Sequence, residues 1–470
     1  MHAYIWHNDS FLNHLHHNTP LRLTRQTTIL HGKHKIIFYM QIVHLVVDIH
    51  PQKEYFPRMF PRHISSRLLE ALSDSPVVLL HGARQTGKST LVQQIASQGH
   101  KAQYLTLDDT AVLSAAVSDP PGFLAGFDGP IVLDEIQRTP ELFLAIKTQV
   151  DRNRQPGRYL LTGSANILML PKLSESLAGR MEILALRPLS QGEIANNKEA
   201  FIDRLFSGRA IQYDCRDEDN APTLTDRILA GGYPESYSRK RPARRRAWFN
   251  SYVSTILQRD IRDLSNIENL SVMPRLLSFL ACRVGSLVNH AEVSRSLGVV
   301  QTTLKRYMSL LEATFLVCLL PAWSGNLGKR LVKAPKLYLN DTALASALIG
   351  QTGVEGLRQL QLLGAMTENF VVAELLKQTA WSDTEPRLHH FRTASGQEVD
   401  IVMESPSGDL VGVEVKTRAT VSSDDFKGMR VLADAVGKRF RQGVVLYQGH
   451  RVIPFGEKLH AAPISSLWRT

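Results

Sequence analysis

The chain has 470 residues, of which 43% are hydrophobic and 21% charged, and its formal net charge is +11 at pH 7. This length predicts two to four domains, and the composition is that of a globular protein rather than a disordered or fibrous one. The positive charge favours a polyanionic partner such as nucleic acid without identifying it. The three cysteines are far apart and lack CxxC spacing (Cys215, Cys282 and Cys318). They therefore indicate neither a zinc site nor a disulfide framework, and we expect reduced thiols in a cytoplasmic protein.

Residues 1–58 differ in composition from the rest, because they contain nine of the 17 histidines. Their longest apolar stretch, Ile36–Ile49, is too short to span a bilayer and contains polar residues. We therefore predict no membrane segment, and the first residues lack the pattern of a signal peptide. Two interpretations of this extension remain open. It is either a metal-binding tract or the result of a start codon placed upstream of a true start at Met40 or Met59.

A parallel α/β sheet is predicted for the region that follows. A helical pattern at Ile64–Leu72 precedes the apolar run Val77–Leu80, which has the composition of a buried parallel strand. Three more strands are predicted, with helical segments between them, at Tyr104–Leu107, Pro130–Leu133 and Tyr159–Thr162. The pattern is mainly helical from about residue 190 to about residue 310, and short strands and turns follow from about residue 385.

A phosphate-binding loop is predicted between the first strand and the next helix. The sequence from Gly82 to Ser89 fits the pattern G-x-x-x-x-G-K-[ST] without a mismatch. In such a loop, backbone N–H groups surround phosphate oxygens, Lys88 reaches the β and γ phosphates, and the Ser89 hydroxyl binds Mg²⁺. The residues predicted to bind ATP are Gly82, Ala83, Arg84, Gln85, Thr86, Gly87, Lys88, Ser89 and Thr90.

Two acids follow the apolar strand that begins at Ile131. In a P-loop ATPase the first acid, Asp134, would hold Mg²⁺, and the second, Glu135, would polarise the attacking water. The next strand ends in small polar residues, among which Ser164 and Asn166 are candidates for contact with the γ phosphate or the water. A simple turn is the alternative for these two residues.

A helix–turn–helix is predicted from Asn289 to Ala313. The first helix is His290–Leu297, Gly298 forms the break, and the second helix has apolar residues on one side. The other side carries Gln301, Thr302, Lys305 and Arg306, where a recognition helix would face the major groove. The strand Leu316–Leu320 and the basic segment 329–336 would complete a winged helix. The alternative is a winged helix that only packs against protein. The run at 239–246 has six cations in eight residues, which suits either phosphate contacts or a solvated helix start.

A cluster of charged side chains is predicted near the C-terminus. The strand Glu398–Met403 and the strand Val411–Val415 are separated by a turn, which predicts a hairpin. Asp400, Glu414 and Lys416 could then converge with Glu368 from the preceding helix. This pattern resembles the restriction-endonuclease-like core, in which the carboxylates hold Mg²⁺ and the lysine, which is not a ligand, assists the attacking water. The alternative is an ordinary solvated sheet face.

Several strings together resemble a branch of the AAA+ ATPases, prokaryotic ATP-binding proteins with a C-terminal domain of unknown function. They are GARQTGKST, YLTLDD, IVLDEIQ, LLTGSAN, SLAGR and RPLSQGE, followed by GGYPE, LQRDI, VDIVMES and GVEVKT. The resemblance covers residues 59–470. It implies a nucleotide at subunit boundaries of a homo-oligomer, with an arginine of the neighbouring subunit sensing the γ phosphate, and Arg180 is the candidate. A surface arginine in a salt bridge is the alternative.

The expected fold is therefore an α/β P-loop AAA+ domain, a helical and winged-helix region, and a small restriction-endonuclease-like α/β domain. We expect these segments: extension 1–58, ATPase core 59–195, helical lid or connector 196–275, winged helix 276–350 and endonuclease-like domain 351–470. The leading hypothesis is an ATPase that uses Mg²⁺ and couples ATP hydrolysis to DNA binding. Two alternatives stay open: a nucleotide-gated switch that binds protein, and a Mg²⁺-dependent nuclease with an ATPase module.

Overall fold

Five parallel strands form the first sheet, and they include the four strands predicted for this region. The computed structural model describes residues 59–164, 177–209, 211, 222–264, 270–326, 333–351 and 353–469. The strands are β1 (Val77–His81), β2 (Gln103–Thr106), β3 (Ile131–Asp134), β4 (Tyr159–Gly163) and β5 (Met181–Ala185). Their order across the sheet is β2-β3-β4-β1-β5. The fifth strand was not predicted from the sequence, because Glu182 interrupts its apolar run.

Both faces of this sheet are covered by helices, as expected for a parallel sheet. Side chains alternate between the two faces along a strand, so β1 contributes to two cores. Val77 and Leu79 lie in one of them, and Val78 and Leu80 lie in the other. The helices of this region are Ser65–Asp74, Lys88–Gln98, Thr110–Ser118, Pro120–Ala125, Leu142–Arg152 and Gln191–Ala195, with a 3-10 turn at Ile136–Arg138.

The middle of the chain is helical and contains the predicted helix–turn–helix. Its helices before that motif are Phe201–Phe206, Leu224–Ala230, Pro234–Tyr237, Pro242–Thr255, Ile261–Leu264 and Met273–Ala281, with a π-helical turn at Ile256–Asp260 and a 3-10 turn at Leu270–Val272. The motif itself is formed by His290–Leu297 and Gln301–Ala313. Gly298 ends the first of these helices in a left-handed conformation (φ 66°), which glycine adopts without strain. A two-stranded antiparallel sheet follows, formed by β6 (Val317–Leu320) and β7 (Lys336–Leu339).

A mixed six-stranded sheet forms the last part of the chain. Its strands are β8 (Arg387–Arg392), β9 (Glu398–Glu404), β10 (Leu410–Val415), β11 (Phe440–Tyr447), β12 (Ile453–Pro454) and β13 (Leu459–Pro463), in the order β12-β13-β11-β10-β9-β8. The predicted hairpin is β9 paired antiparallel with β10. The helices are Thr342–Leu348, Val354–Gln359, Leu363–Gln378, Lys427–Val436 and Ser466–Arg469, with short 3-10 turns at Ser423–Phe426 and Gly437–Arg439.

One apolar core joins three segments that the sequence predicts to be separate domains. It includes Phe201 and Leu277 from the helical segment, Leu311 from the helix–turn–helix, and Phe370 and Val413 from the C-terminal part. The chain from Met59 onward forms one compact unit. These segments therefore cannot move as independent bodies without exposing shared core surface.

None of the helices among the described residues combines the length and apolar content needed to cross a bilayer. The histidine-rich extension lies outside the described residues, as do Cys215, Asn166 and most of the basic segment before β7.

Candidate functional site

The phosphate loop connects the carboxyl end of β1 to the helix Lys88–Gln98. Gly82 starts the loop with a φ of 155°, and a Cβ atom at this position would lie 2.1 Å from the carbonyl oxygen of Leu186. Only glycine lets the backbone pass so close to the neighbouring strand. Packing against Leu186, which follows β5, therefore sets the shape of the loop at its first residue.

Lys88 is buried, with 4% of its surface exposed. Its Nζ atom donates hydrogen bonds to the carbonyl oxygens of Gly82 (3.0 Å) and Ala83 (2.9 Å). Burial lowers the pKa of Lys88 to about 8, while the nearby carboxylates of Glu135 and Asp134 act in the opposite direction. The ammonium group thus lies across the opening of its own loop, in a position to exchange backbone carbonyls for phosphate oxygens.

The remaining residues of the loop take different positions. Thr86 is buried and its hydroxyl donates to the Ala83 carbonyl (2.9 Å), which tightens the loop. Gln85 is exposed, with a φ of 60°. In the first turn of the following helix, Ser89 is half-buried and Thr90 is exposed. The Arg84 side chain forms a salt bridge with a carboxylate from the helical segment.

Asp134 and Glu135 lie at the same edge of the sheet, at the end of β3. The Tyr104 hydroxyl donates to Asp134 Oδ2 (2.7 Å), and the Thr162 hydroxyl donates to Asp134 Oδ1. The Glu135 backbone N–H donates to Thr162 Oγ1 (3.0 Å). Burial and the Asp134 carboxylate raise the pKa of Tyr104 to about 12, so its hydroxyl remains a donor. Thr162 of β4, the strand that lies between β3 and β1, thus forms hydrogen bonds with both acidic residues.

Glu135 has a left-handed backbone conformation, with φ 61° and ψ 43°. This conformation is uncommon for a residue with a side chain, and such residues are enriched at functional sites. The Gln137 amide donates to the Glu135 carboxylate and to Ser164 Oγ (2.9 Å). Ser164 is therefore part of the site region, whereas Asn166 lies outside the described residues. Tyr104, Thr162 and Gln137 were not predicted, although each lies within a string already identified.

Arg180 lies at the opposite edge of the sheet. It comes directly before β5, which pairs in parallel with β1 from Val77–Met181 to His81–Ala185. A strand of this length separates its two ends by roughly 15 Å. The Arg180 guanidinium forms a salt bridge with Asp151, and it donates to the Ala178 carbonyl (3.1 Å). It therefore lies away from the phosphate loop of its own chain, and its predicted role requires a second copy.

The helix–turn–helix has the two faces that the sequence predicts. The apolar side chains Leu304, Met308 and Leu311 are buried. The polar side chains predicted to face outward lie at or near the surface: Gln301, Thr302, Lys305 and Arg306. In the arginine-rich run, Arg239 forms a salt bridge with Glu235, and Arg245 donates to backbone carbonyls. The other four cations are Lys240, Arg241, Arg244 and Arg246, and all of them are exposed.

The four charged side chains predicted to converge near the C-terminus do lie together. Glu414 Oε2 accepts from the Asp400 backbone N–H (3.2 Å), and Asp400 Oδ2 accepts from the Val415 backbone N–H (3.0 Å). Lys416 Nζ forms a salt bridge with Glu414 Oε1 (2.7 Å). Glu368, from the helix Leu363–Gln378, is joined to Asp400 through a lysine that was not predicted from the sequence.

That lysine is Lys336, the first residue of β7. Its Nζ atom lies 2.9 Å from Glu368 Oε1, 2.6 Å from Glu398 Oε1 and 3.1 Å from Asp400 Oδ1. Only 4% of its side chain is exposed, and the three carboxylates raise its pKa despite the opposing effect of burial. The Tyr338 hydroxyl also donates to Glu368. The strand β7 is therefore attached to the C-terminal acids by a buried ammonium group.

Two acids of this cluster, Glu368 and Glu414, have a raised pKa. Burial, followed by repulsion from Asp400, raises the pKa of Glu368 to about 7 and that of Glu414 to about 8. Lys336 acts in the opposite direction on Glu368, and Lys416 does so on Glu414. The two lysines do not fully offset the effect of burial on Glu368 and Glu414. The cluster therefore carries less negative charge near neutral pH than four free carboxylates would.

These residues do not fit a divalent metal site. Lys336 Nζ already lies at hydrogen-bond distance from three acids, including Glu368 and Asp400, which the sequence analysis assigns as metal ligands. Across the described ranges, no group of three or more His, Cys, Asp or Glu side chains is arranged to hold a metal ion. The sequence pattern did not show this, because Lys336 is 32 residues before Glu368 and enters the cluster only through the tertiary fold.

The nucleotide site and the sheet define the class of the protein. A phosphate loop follows the first strand, and two acids end another strand at the same edge. The sequence model of a family described as an AAA domain matches residues 74–195. This region is a P-loop AAA-type ATPase domain. Two further models, both described as domains of unknown function, match residues 221–355 and 363–467.

The family is shown by relatives that match most of the chain. The uncharacterized protein Rv2008c of Mycobacterium tuberculosis is 33% identical over 410 residues, which are 87% of this chain and 85% of that protein. The uncharacterized protein Mb2031c of Mycobacterium bovis matches to the same extent. The chain belongs to the family of these two mycobacterial proteins.

Solved structures show weaker similarity. The Walker-type ATPase PABY2304 of Pyrococcus abyssi is 13% identical, with a TM-score of 0.36 over 62% of this chain and 96% of that chain. A single-substitution variant of RuvB from Thermotoga maritima is 19% identical, with a TM-score of 0.28 over 55% of this chain and 89% of that chain.

Replacing Lys336 with methionine should destabilise the protein by about 3–5 kcal/mol, because it leaves buried carboxylates without their ammonium partner. The measurement is the free energy of unfolding in urea at pH 8. The matched control is Lys427→Met, since Lys427 is 67% exposed and pairs with the exposed Asp424. Equal stability of Lys336→Met and wild type would show that the Lys336 contacts do not hold this cluster together.

Proposed function

We propose that this protein binds ATP with Mg²⁺, hydrolyses it, and uses the bound nucleotide to control contact between its C-terminal half and DNA. One observation carries the ATPase part of this proposal. Lys88 of the phosphate loop lies at the same sheet edge as Asp134 and Glu135, and the charges of these two acids act on the Lys88 ammonium. A cation for phosphate and carboxylates for a metal and a water are thus brought together.

The residues at this edge fit a bound Mg²⁺ ion. The Ser89 hydroxyl and the Asp134 carboxylate would hold it, and oxygen ligands of this kind are those that Mg²⁺ prefers. The ion supplies charge neutralisation at the phosphates. Tyr104 and Thr162 orient the Asp134 carboxylate through their hydroxyl groups.

Glu135 is the proposed residue that orients the attacking water. Its carboxylate is positioned by Gln137, which also contacts Ser164. Lys88 would leave the carbonyl oxygens of Gly82 and Ala83 and bind phosphate oxygens, which makes its ammonium a charge partner of the leaving group. The chain's own residues thus supply position and electrostatic stabilisation, which are the main contributions to phosphoryl transfer.

Replacing Glu135 with glutamine should lower the rate of ATP hydrolysis by roughly 100-fold or more while ATP still binds, because the amide cannot accept a proton from water. Lys88→Ala should instead abolish ATP binding. Phosphate release and calorimetric titration with Mg²⁺–ATP measure the two effects. Glu141→Gln is the control, since Glu141 is an exposed acid shortly after the site. Full turnover by Glu135→Gln would contradict the assigned role.

We also propose that Arg180 acts on the nucleotide of a neighbouring subunit in a homo-oligomer. Its position at the far edge of its own sheet supports a role in trans. The salt bridge with Asp151 would have to be exchanged for phosphate contact in that assembly.

Arg180→Ala should retain ATP binding and lose hydrolysis by roughly 1000-fold, because an arginine supplied by a neighbour stabilises charge only in the transition state. Wild-type turnover per chain should rise with protein concentration, whereas that of Arg180→Ala should stay low at every concentration. Asp151→Ala removes the salt-bridge partner and serves as the comparison variant. Unchanged turnover of Arg180→Ala would mean that Arg180 is only a surface residue.

DNA is the proposed partner of the C-terminal half. Two groups of surface cations support it: Lys305 and Arg306 on the second helix of the helix–turn–helix, and the four exposed members of the arginine-rich run. The arrangement of this motif with the β6–β7 sheet supports a winged-helix type of contact. The buried Lys336 in the C-terminal acids argues for binding without cleavage, so a nuclease is the less favoured function of this half.

The double variant Lys305→Ala/Arg306→Ala should bind a 25-base-pair duplex roughly tenfold more weakly at low salt. The slope of log affinity against log salt should fall by roughly two in magnitude. Each phosphate contact releases counterions when the complex forms, and the double variant lacks two such contacts. Fluorescence anisotropy measures both quantities. Arg358→Ala/Lys427→Ala is the charge-matched control, since both residues are exposed and lie outside the motif. No DNA retention by the wild type at low salt, with ATPase turnover unaffected by DNA, would favour a nucleotide-gated switch that binds protein.

A further inference from the structure

Arg84 is part of the phosphate loop, but its side chain contacts a residue 176 positions later in the chain. Its Nε atom lies 2.9 Å from Asp260 Oδ1 and 2.6 Å from Asp260 Oδ2. Asp260 is buried, with 7% of its surface exposed, and the Arg84 side chain is 24% exposed. The loop therefore has two cations, Lys88 and Arg84, and the second is held by a carboxylate from outside the AAA domain.

The segment that carries Asp260 contacts the loop at a second point. The hydroxyl of Tyr252 donates to the Arg84 carbonyl oxygen (3.4 Å). Tyr252 belongs to the helix Pro242–Thr255, and Asp260 ends the π-helical turn Ile256–Asp260 that continues it. We call Pro242–Asp260 the contact helix. Its first turns carry three of the six cations of the arginine-rich run at 239–246, which are Arg244, Arg245 and Arg246.

The π-helical turn explains how both residues reach the loop. Eight residues of regular α-helix would place Asp260 about 80° from Tyr252 around the helix axis. A π turn has more residues per turn, so each of its residues rotates less around the axis and the angle between the two side chains becomes smaller. Both side chains therefore reach Arg84. Single π turns inside α-helices are rare and are frequent at functional sites.

The Asp260 carboxylate also acts on the phosphate site itself. Its negative charge is among those that oppose the lowering of the Lys88 pKa. A polyphosphate that enters the loop would therefore meet Asp260 as a like charge, and would compete with it for the Arg84 guanidinium. Guanidinium groups bind carboxylates and phosphates with the same planar geometry, which makes such an exchange chemically reasonable.

We propose that Arg84 is a phosphate-binding residue of the nucleotide site and that it leaves Asp260 when ATP binds. This inference rests on the proposed ATP binding and couples that site to the region of unknown function at 221–355. Loss of the Arg84–Asp260 pair removes one of the contacts between the contact helix and the loop, so that Tyr252 and the shared apolar core remain. Nucleotide binding is thereby communicated to the arginine-rich run, and the reverse coupling follows from linkage.

The decisive experiment measures ATP affinity in four chains by calorimetry: wild type, Arg84→Ala, Asp260→Asn and the double variant. Asp260→Asn should bind ATP about tenfold more tightly, because it removes the competing carboxylate at nearly unchanged shape. Arg84→Ala should bind about tenfold more weakly, because it removes a phosphate-binding cation. The double variant should recover part of that loss, since Asp260 no longer repels the phosphates. Adenosine affinity should stay the same in all four chains.

Asp425→Asn is the control, because Asp425 also pairs with an arginine, Arg418, but in the C-terminal part of the chain. Its ATP affinity should equal that of the wild type. Unchanged or weaker ATP binding by folded Asp260→Asn would overturn the proposal and leave Asp260 as a structural partner. Failure of the folded wild type to bind ATP would overturn the proposed function, and this inference with it.

A second measurement does not depend on the folding of Asp260→Asn. Saturating ATP should increase amide hydrogen exchange in Phe249–Arg262 of the wild type, and Arg84→Ala should show no such increase. A wild-type chain that binds ATP with no change of exchange in this segment would also contradict the proposal.

Discussion

The parallel pairing of β1 with β4 and β5, and of β4 with β3, is the constraint on which the nucleotide site depends. Parallel strands in register end at one edge of the sheet, so groups that follow different strands meet there. Lys88 follows β1, Thr162 is in β4 and Asp134 ends β3. Thr162 is paired with Leu80 of β1 and bonds to both Asp134 and Glu135. The sheet thus sets the distance between the Lys88 ammonium and the two acids in the absence of nucleotide.

Polar contacts connect separate segments of the chain. Asp260 reaches the phosphate loop from the helical segment, and Lys336 reaches the C-terminal acids from β7. Each of these charged groups is buried, and a buried charge requires a partner. The continuous apolar core beside them keeps the segments in contact. Among the described residues, the nucleotide site and the C-terminal half are therefore joined by packed apolar contacts and by buried polar contacts.

Much of the ATPase region could be predicted from the sequence. Most of the strands β1 to β4 are short apolar runs inside the sheet, and the phosphate loop has an uninterrupted local pattern. The edge strand β5 was missed because Glu182 interrupts its apolar run, whereas β2, the other edge strand, was predicted. The helix–turn–helix was also predictable, since Leu304, Met308 and Leu311 have helical spacing and Gly298 ends the preceding helix. In these cases the signal lies within a few turns of the chain.

Local patterns determined the strands β1 to β4, the helix–turn–helix and the chemical groups at several strand ends, including Lys88, Asp134 and the acids near the C-terminus. Only the tertiary structure decided what these groups contact. It places Asp260 on Arg84 and Lys336 among Glu368, Glu398 and Asp400, and it puts Arg180 at the far edge of its own sheet. These partners are tens to more than a hundred residues apart in sequence. Periodicity and spacing report on neighbours within one helix or strand, whereas charge pairing at long range depends on how whole elements pack.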